Sequence, residues 1–169
     1  AATTKPCTEA AEAAVICASD RFGNPSSLHH MGVEAEKTLA SAKRTLLDRL
    51  GKEGEILFTS GATESNNMAV FGIAEALKRR GNRIVTTAVE HPSVSAPMKK
   101  LSERGFEVVS LKPKEHGDFE RAIIDAVDEK TVLVSFMAVN TETGYIDEHK
   151  TLYSALKPKI PTITENHSD

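Results

Sequence analysis

The sequence predicts an α/β fold, a three-layer sandwich in which a mostly parallel sheet has helices on both faces. Two observations lead to this prediction. Segments with helical periodicity alternate with short apolar segments, and connections of only a few residues join them. In addition, the apolar runs Ile84-Val85 and Val132-Leu133-Val134 lack the polar alternation of a half-exposed strand, which is typical of strands buried on both faces.

Apolar spacing, caps and stop signals predict six helices. The first two are expected over Thr8–Ser19 and about Met31–Leu50, and Gly51 is expected to end the second. Four more helices are predicted over Ser65–Arg80, Pro92–Arg104, Phe119–Val127 and Asp147–Leu156. Gly81 is expected to follow the third helix as its C′ residue.

Five short apolar segments are predicted to be strands. They are Glu55–Thr59, Arg83–Ala88, Phe106–Leu111, Thr131–Met137 and Ile160–Thr164. The 169 residues contain no internal repeat or linker, so one domain is expected. Ligands of such sheets bind beyond the carboxyl ends of the strands, so the residues that follow each strand are the candidates for function.

Composition excludes several classes of function. The net charge of −3 gives no reason to expect nucleic acid or an anionic membrane as partner. No apolar run approaches the roughly 18 residues that a membrane span needs, and no signal peptide opens the sequence. Cys7 and Cys17 form neither a disulfide framework nor a zinc-binding spacing, so no metal and a cytoplasmic location are expected.

The stretch FTSGATESNN, residues 58–67, predicts a strand that ends where a helix begins. Amides at a helix N-terminus point outward and favour negative charge, so Ala62 and Thr63 are candidates for binding a phosphate. The stretch is neither a P-loop nor a dinucleotide fingerprint. From these ten residues alone, an ordinary helix cap is an equally good interpretation.

Polar residues follow two further predicted strands. His91 comes after the second strand, where an imidazole could stack on a flat ligand or transfer protons. Asn140 and Glu142 come after the fourth. Taken singly, a surface histidine and ordinary turn residues are the commoner interpretations. Three groups at one edge of a sheet favour a shared site.

These segments together resemble the cysteine desulfurases of the class V aminotransferase-like superfamily, which depends on pyridoxal phosphate. The similar segments are residues 1–6, 22–27, 58–67, 90–91 and 134–140. The likeness is clear over about residues 1–144, whereas residues 145–169 diverge. It implies that residues 1–169 are the N-terminal part of the large, cofactor-binding domain of that family.

The resemblance implies roles for individual residues. Ala62 and Thr63 would bind the phosphate of pyridoxal 5'-phosphate, and His91 would stack on its ring and transfer protons. Thr141 stands where the family has an asparagine that contacts the cofactor. Glu165 or, in another alignment, His167 stands at the aspartate that pairs with the pyridine nitrogen. Glu165 is favoured, because only a carboxylate would hold that nitrogen protonated.

The reaction that the resemblance implies converts L-cysteine to L-alanine and passes the sulfur to an enzyme cysteine as a persulfide. It also implies a homodimer, a sulfur-acceptor protein and a role in iron–sulfur cluster assembly. No residue here matches the family's Schiff-base lysine or its persulfide-forming cysteine, so the isolated chain is expected to be inactive. The alternatives are an inactive remnant that acts as a binding domain, a selenocysteine lyase, or a class V aminotransferase.

Overall fold

The computed structural model describes residues 5–51, 53–113, 118–137, 149–156 and 162–165. The chain divides into two compact units, residues 1–58 and 59–169. The first unit contains helices α1 (Thr8–Ser19) and α2 (His30–Leu50), both close to the predicted bounds. Gly51 ends α2 in the left-handed conformation, with φ of 58°, which confirms the predicted stop.

The described residues of the second unit form four helices and four strands. The helices are α3 (Ala62–Leu77), α4 (Pro92–Glu103), α5 (Phe119–Ala126) and α6 (His149–Leu156). The strands are β1 (Arg83–Thr87), β2 (Glu107–Leu111), β3 (Thr131–Met137) and β4 (Thr162–Glu165). All the pairings are parallel, in the order β2-β1-β3-β4, which confirms the predicted parallel α/β sheet.

The strand order reverses between β1 and β3. The chain passes outward from β1 to β2 and then crosses to β3 on the other side of β1. Val85 of β1 is therefore paired with Val109 of β2 and with Val134 of β3. A reversal of this kind opens a crevice at the carboxyl ends of the two central strands, where ligands of open α/β sheets bind.

Two apolar cores cover the two faces of the sheet. On one face α3 and α4 pack on the strands, through Val70, Ala74, Val94, Met98, Leu101, Ile84 and Leu133. On the other face α5 and α6 pack, through Phe119, Ile123, Leu152, Leu156, Val85, Val134 and Phe136. Every residue of β3 is buried, which confirms the prediction that its apolar run is covered on both faces.

The strand predicted over Glu55–Thr59 is wrong. The described residues between α2 and α3 include no strand, because none of the four strands takes 55–59 as a neighbour. An apolar segment becomes a strand only when an adjacent strand satisfies its backbone groups. Helix α3 also begins at Ala62, three residues before the predicted start.

Gly81 has a different role from the predicted one. Helix α3 ends at Leu77, and the described glycines with positive φ do not include Gly81. A Cβ atom at this position would lie 2.1 Å from the carbonyl oxygen of Lys130. Glycine is therefore required because two backbone segments approach closely, and not because the helix end needs a left-handed residue there.

No helix within the described ranges is both long and apolar enough to cross a membrane.

We expect Gly81→Ala to destabilise the protein by about 1–3 kcal/mol, because the backbone at Lys130 must move to admit the methyl group. The matched control is Gly72→Ala in α3, where a Cβ atom would meet no atom within 4 Å. That change should stabilise by about 0.5–1 kcal/mol, since alanine is the better helix former. Urea unfolding monitored by circular dichroism measures both, and equal midpoints for the two variants would contradict the close approach.

Candidate functional site

Helix α3 begins without a side-chain cap. Its N-cap is Gly61, which is extended and offers no side chain to cap the first turn. Ala62 and Thr63 are the first two helical residues, and both are exposed. A Cβ atom at Gly61 would meet no atom within 4 Å, so the space beside this turn is open. An uncapped, open helix N-terminus suits an anion.

The connection before α3 is held by hydrogen bonds to the first turn. Ser60 donates both its backbone N–H and its hydroxyl to Oε2 of Glu64, each at 2.7 Å. These two bonds, of which the backbone bond has the larger effect, hold the pKa of Glu64 below its usual value. The hydroxyls of Thr59 and Ser65 also lie 2.6 Å apart. Hydrogen bonds to the first turns of α3 thus hold the conformation of residues 59–61.

His91 is the N-cap of α4, directly after the turn that follows β1. Its Nδ1 accepts a hydrogen bond from the backbone N–H of Ser93 at 3.1 Å and lies 2.8 Å from the Ser93 hydroxyl. Pro92 occupies the first helical turn, where its fixed φ favours helix initiation. The imidazole is exposed, whereas Ser93 is buried.

Two asparagines of α3 connect the two helix starts. Asn66 Nδ2 donates to the Ser93 hydroxyl at 2.9 Å. Asn67 Nδ2 donates to the Thr63 carbonyl at 2.8 Å and to the Ser93 carbonyl at 3.3 Å. The predicted phosphate-binding turn and the predicted stacking histidine therefore belong to one hydrogen-bonded network at the carboxyl end of β1.

Glu90, beside His91, is buried at the same end of the sheet. The Thr87 hydroxyl donates to its Oε1 at 2.7 Å. Because Thr87 is the last residue of β1, this bond fixes the turn that carries the chain from the strand to His91.

The other predicted site residues are described only in part. Glu165 is the last residue of β4 and is in register with Met137, so its backbone lies at the carboxyl end of the sheet. Thr141 and His167 lie outside the described residues, as do Asn140 and Glu142.

Three residues of the network were not predicted: Asn66, Asn67 and Ser93. The signal for them was local and weak, namely two adjacent asparagines in the first two turns of α3 and a serine two residues after the histidine. Their partners are 26 or 27 residues away in the sequence, and the fold alone brings them together.

Other candidate sites are few in the part of the chain that the structure describes. No group of three His, Cys, Asp or Glu side chains there could hold a metal ion. Cys7 and Cys17 are exposed and form no disulfide. A cavity of about 310 Å³ lies in the first unit and includes none of the predicted site residues. Its lining includes Asp20, Arg21, His30 and Glu34.

The sequence profile of the class-V aminotransferases matches residues 1–161. The chain belongs to this family. Among curated relatives it is 40% identical, over 149 residues, to cysteine desulfurase IscS of Dictyoglomus turgidum. The match covers 87% of this chain and 38% of the relative.

Solved structures give the same result. A NifS-like protein superposes with a TM-score of 0.88 and 33% identity. The match covers 99% of this chain and 48% of the NifS-like protein. The structure of SspA in complex with cysteine superposes with a TM-score of 0.86 and 30% identity. This match covers 98% of the present chain and 48% of the SspA chain. The chain thus spans less than half the length of these proteins.

The Glu64 bonds predict a pH dependence of stability. Because the folded pKa lies below the usual 4.5, the stabilisation is present above that pH and is lost as the pH falls through the folded pKa. We expect Glu64→Gln to lower the melting temperature at neutral pH and to have a smaller effect under acidic conditions. Thermal unfolding at a series of pH values measures this difference. The exposed Glu103→Gln is the control, and an effect of Glu64→Gln that grows on acidification would contradict the prediction.

Proposed function

We propose that residues 1–169 are part of the cofactor-binding domain of an enzyme similar to the cysteine desulfurases, which converts L-cysteine to L-alanine and transfers the sulfur as a persulfide. The observation that carries this proposal is the network joining the open start of α3 to His91 at the switch point of the sheet. The relatives named cysteine desulfurase and the SspA structure with cysteine support the substrate.

The described residues fit pyridoxal 5'-phosphate. The start of α3 offers outward amides and the positive end of the helix dipole to its phosphate, and the Thr63 hydroxyl is a further donor. The absence of a side chain at Gly61 leaves room for this group. The exposed imidazole of His91 is the flat surface on which the ring would stack.

When bound, the cofactor supplies an electron sink that weakens the bonds at the α-carbon of the amino-acid substrate. The protein residues orient it and handle protons. Ala62 and Thr63 would hold the phosphate, and His91 would stack on the ring and take part in proton transfer. We propose that Thr141 adds a contact and that the Glu165 carboxylate keeps the pyridine nitrogen protonated.

The remaining parts of the proposal concern partners. We infer a homodimer, a sulfur-acceptor protein, and a contribution to iron–sulfur cluster assembly, which the IscS names of the relatives suggest. The free, exposed thiols of Cys7 and Cys17 suit a reducing, cytoplasmic location. No role for nucleic acid or membranes is proposed.

The proposed phosphate site predicts weak, non-covalent binding of pyridoxal phosphate by this chain, with a Kd in the high micromolar range. Thr63→Val removes a donor to a charged group, about 1.5–3 kcal/mol, and should weaken binding roughly ten- to hundredfold. The control Thr63→Ser keeps the hydroxyl and should bind as before. His91→Ala loses only a stacking contact, about 0.5–1.5 kcal/mol, and should weaken binding less. Absorbance titration with pyridoxal phosphate measures the Kd of the wild type and of the three variants.

Borohydride treatment separates this prediction from a covalent alternative. We expect no cofactor to be attached to the protein, and no desulfurase activity, because no lysine here matches the family's Schiff-base lysine. A covalent label found by mass spectrometry would show that another lysine has this role. Equal binding by Thr63→Val and the wild type would contradict the phosphate site.

The proposed homodimer predicts self-association. Large apolar side chains of the first unit are exposed, including Leu28 at 99%, Val15 at 66% and Phe22 at 66%. Exposed apolar surface of this kind is typical of an interface. We expect sedimentation at tens of micromolar to show association that Leu28→Ser reduces, with the exposed Glu36→Ser as control. A monomer at all concentrations would contradict the proposal.

A further inference from the structure

We infer that Ser93 is a positioning residue that holds the His91 ring in one orientation and one tautomer, and that Asn66 sets the direction of the Ser93 hydroxyl. The inference concerns hydrogen bonds within this chain. It rests on the proposed function only for its consequence, which is the way His91 would meet a ring stacked on it.

The backbone of Ser93 determines which ring nitrogen lacks a proton. The Ser93 N–H lies 3.1 Å from Nδ1 of His91, and a backbone amide is only ever a donor. Nδ1 must therefore offer a lone pair. In the neutral ring the proton is then on Nε2, because one nitrogen of a neutral imidazole donates and the other accepts.

The Ser93 hydroxyl strengthens the same choice. Its Oγ lies 2.8 Å from Nδ1 and accepts a hydrogen bond from Asn66 Nδ2 at 2.9 Å. The asparagine N–H uses a lone pair of Oγ, so the hydroxyl proton points away from Asn66, and Nδ1, already an acceptor, is the partner within reach. The single lone pair of Nδ1 is thus shared by two donors, both from Ser93, and Asn66 sets the direction of the second donor.

Burial keeps this arrangement in place. Ser93 has a relative exposure of 6%, whereas the His91 ring that it holds is exposed. Water therefore competes poorly for the Ser93 hydroxyl, while the rest of the ring stays open to a ligand. A ring fixed in this way loses less freedom when a flat molecule stacks on it, and it presents Nε2–H as a donor in the neutral state.

Nuclear magnetic resonance of the 15N-histidine-labelled chain tests the inference directly. Two-bond proton–nitrogen spectra at about pH 9, where an ordinary imidazole is neutral, report the tautomer of each histidine. The His91 signals are assigned by their absence in His91→Gln. We expect the Nε2–H form to dominate, and a major Nδ1–H form in the wild type would overturn the inference.

Two variants test the roles of Ser93 and Asn66 separately. Ser93→Ala removes one donor, so the ratio of Nε2–H to Nδ1–H should fall about fivefold, as for one ordinary hydrogen bond. Asn66→Asp should lower it further, because a carboxylate only accepts and would draw the hydroxyl proton away from Nδ1. Ser95→Ala, at an exposed position on α4, should leave the ratio unchanged. Unchanged ratios in both test variants, with native amide spectra, would overturn the inference.

Titration of the same samples with pyridoxal phosphate separates this inference from the proposed function. If the ratios shift as expected but the wild type binds no cofactor, the positioning role stands and the proposed function fails. If the wild type binds cofactor but the ratios do not move, the proposed function stands and the positioning role fails. If both hold, Ser93→Ala should bind the cofactor more weakly than Ser95→Ala, by no more than the loss in His91→Ala.

Discussion

The parallel pairing of β1 with a strand on each side is the constraint on which the second unit depends. Through this pairing Ile84 faces the core formed with α3 and α4, and Val85 faces the core formed with α5 and α6. Neighbouring strands hold β1 on both sides, and helices hold it on both faces. This packing also fixes the position of the turn from Thr87 to His91 that follows the strand. Because α3 and α4 pack in one core, the hydrogen bond from Asn66 to Ser93 forms between groups already held close together, at a small cost in conformational entropy.

Much of the fold could be predicted because it depends on local patterns. The helix over Thr8–Ser19 and the stop at Gly51 follow from residue type and spacing, and buried strands such as β3 are evident from unbroken apolar runs. The prediction failed where the conformation of a residue, or the residue type that it requires, depends on a segment far away in the sequence. An apolar stretch at 55–59 is no strand without a neighbour, and the need for glycine at position 81 comes from Lys130, 49 residues further along the chain.

The candidate site also has a part that local sequence predicts and a part that depends on tertiary packing. Ala62, Thr63 and His91 stand at element boundaries that the sequence indicates. Hydrogen bonds through Asn67 and Ser93 join Thr63 to His91. The hydrogen bonds that join them depend on the packing of two helices and have no counterpart in the local sequence. Thr141 and the side chain of Glu165 remain predictions, since a role at the cofactor depends on positions that only tertiary structure determines.

The central claim is that the start of α3 and His91 form one site for pyridoxal phosphate. It is tested most directly by adding the cofactor to the 15N-labelled chain and following amide and imidazole signals together. We predict that the amides of Ala62 and Thr63 and the ring of His91 shift along one binding curve, and that inorganic phosphate shifts only the amides. Shifts confined to the first unit, for example at His29 and His30, or separate curves for α3 and His91, would contradict the account.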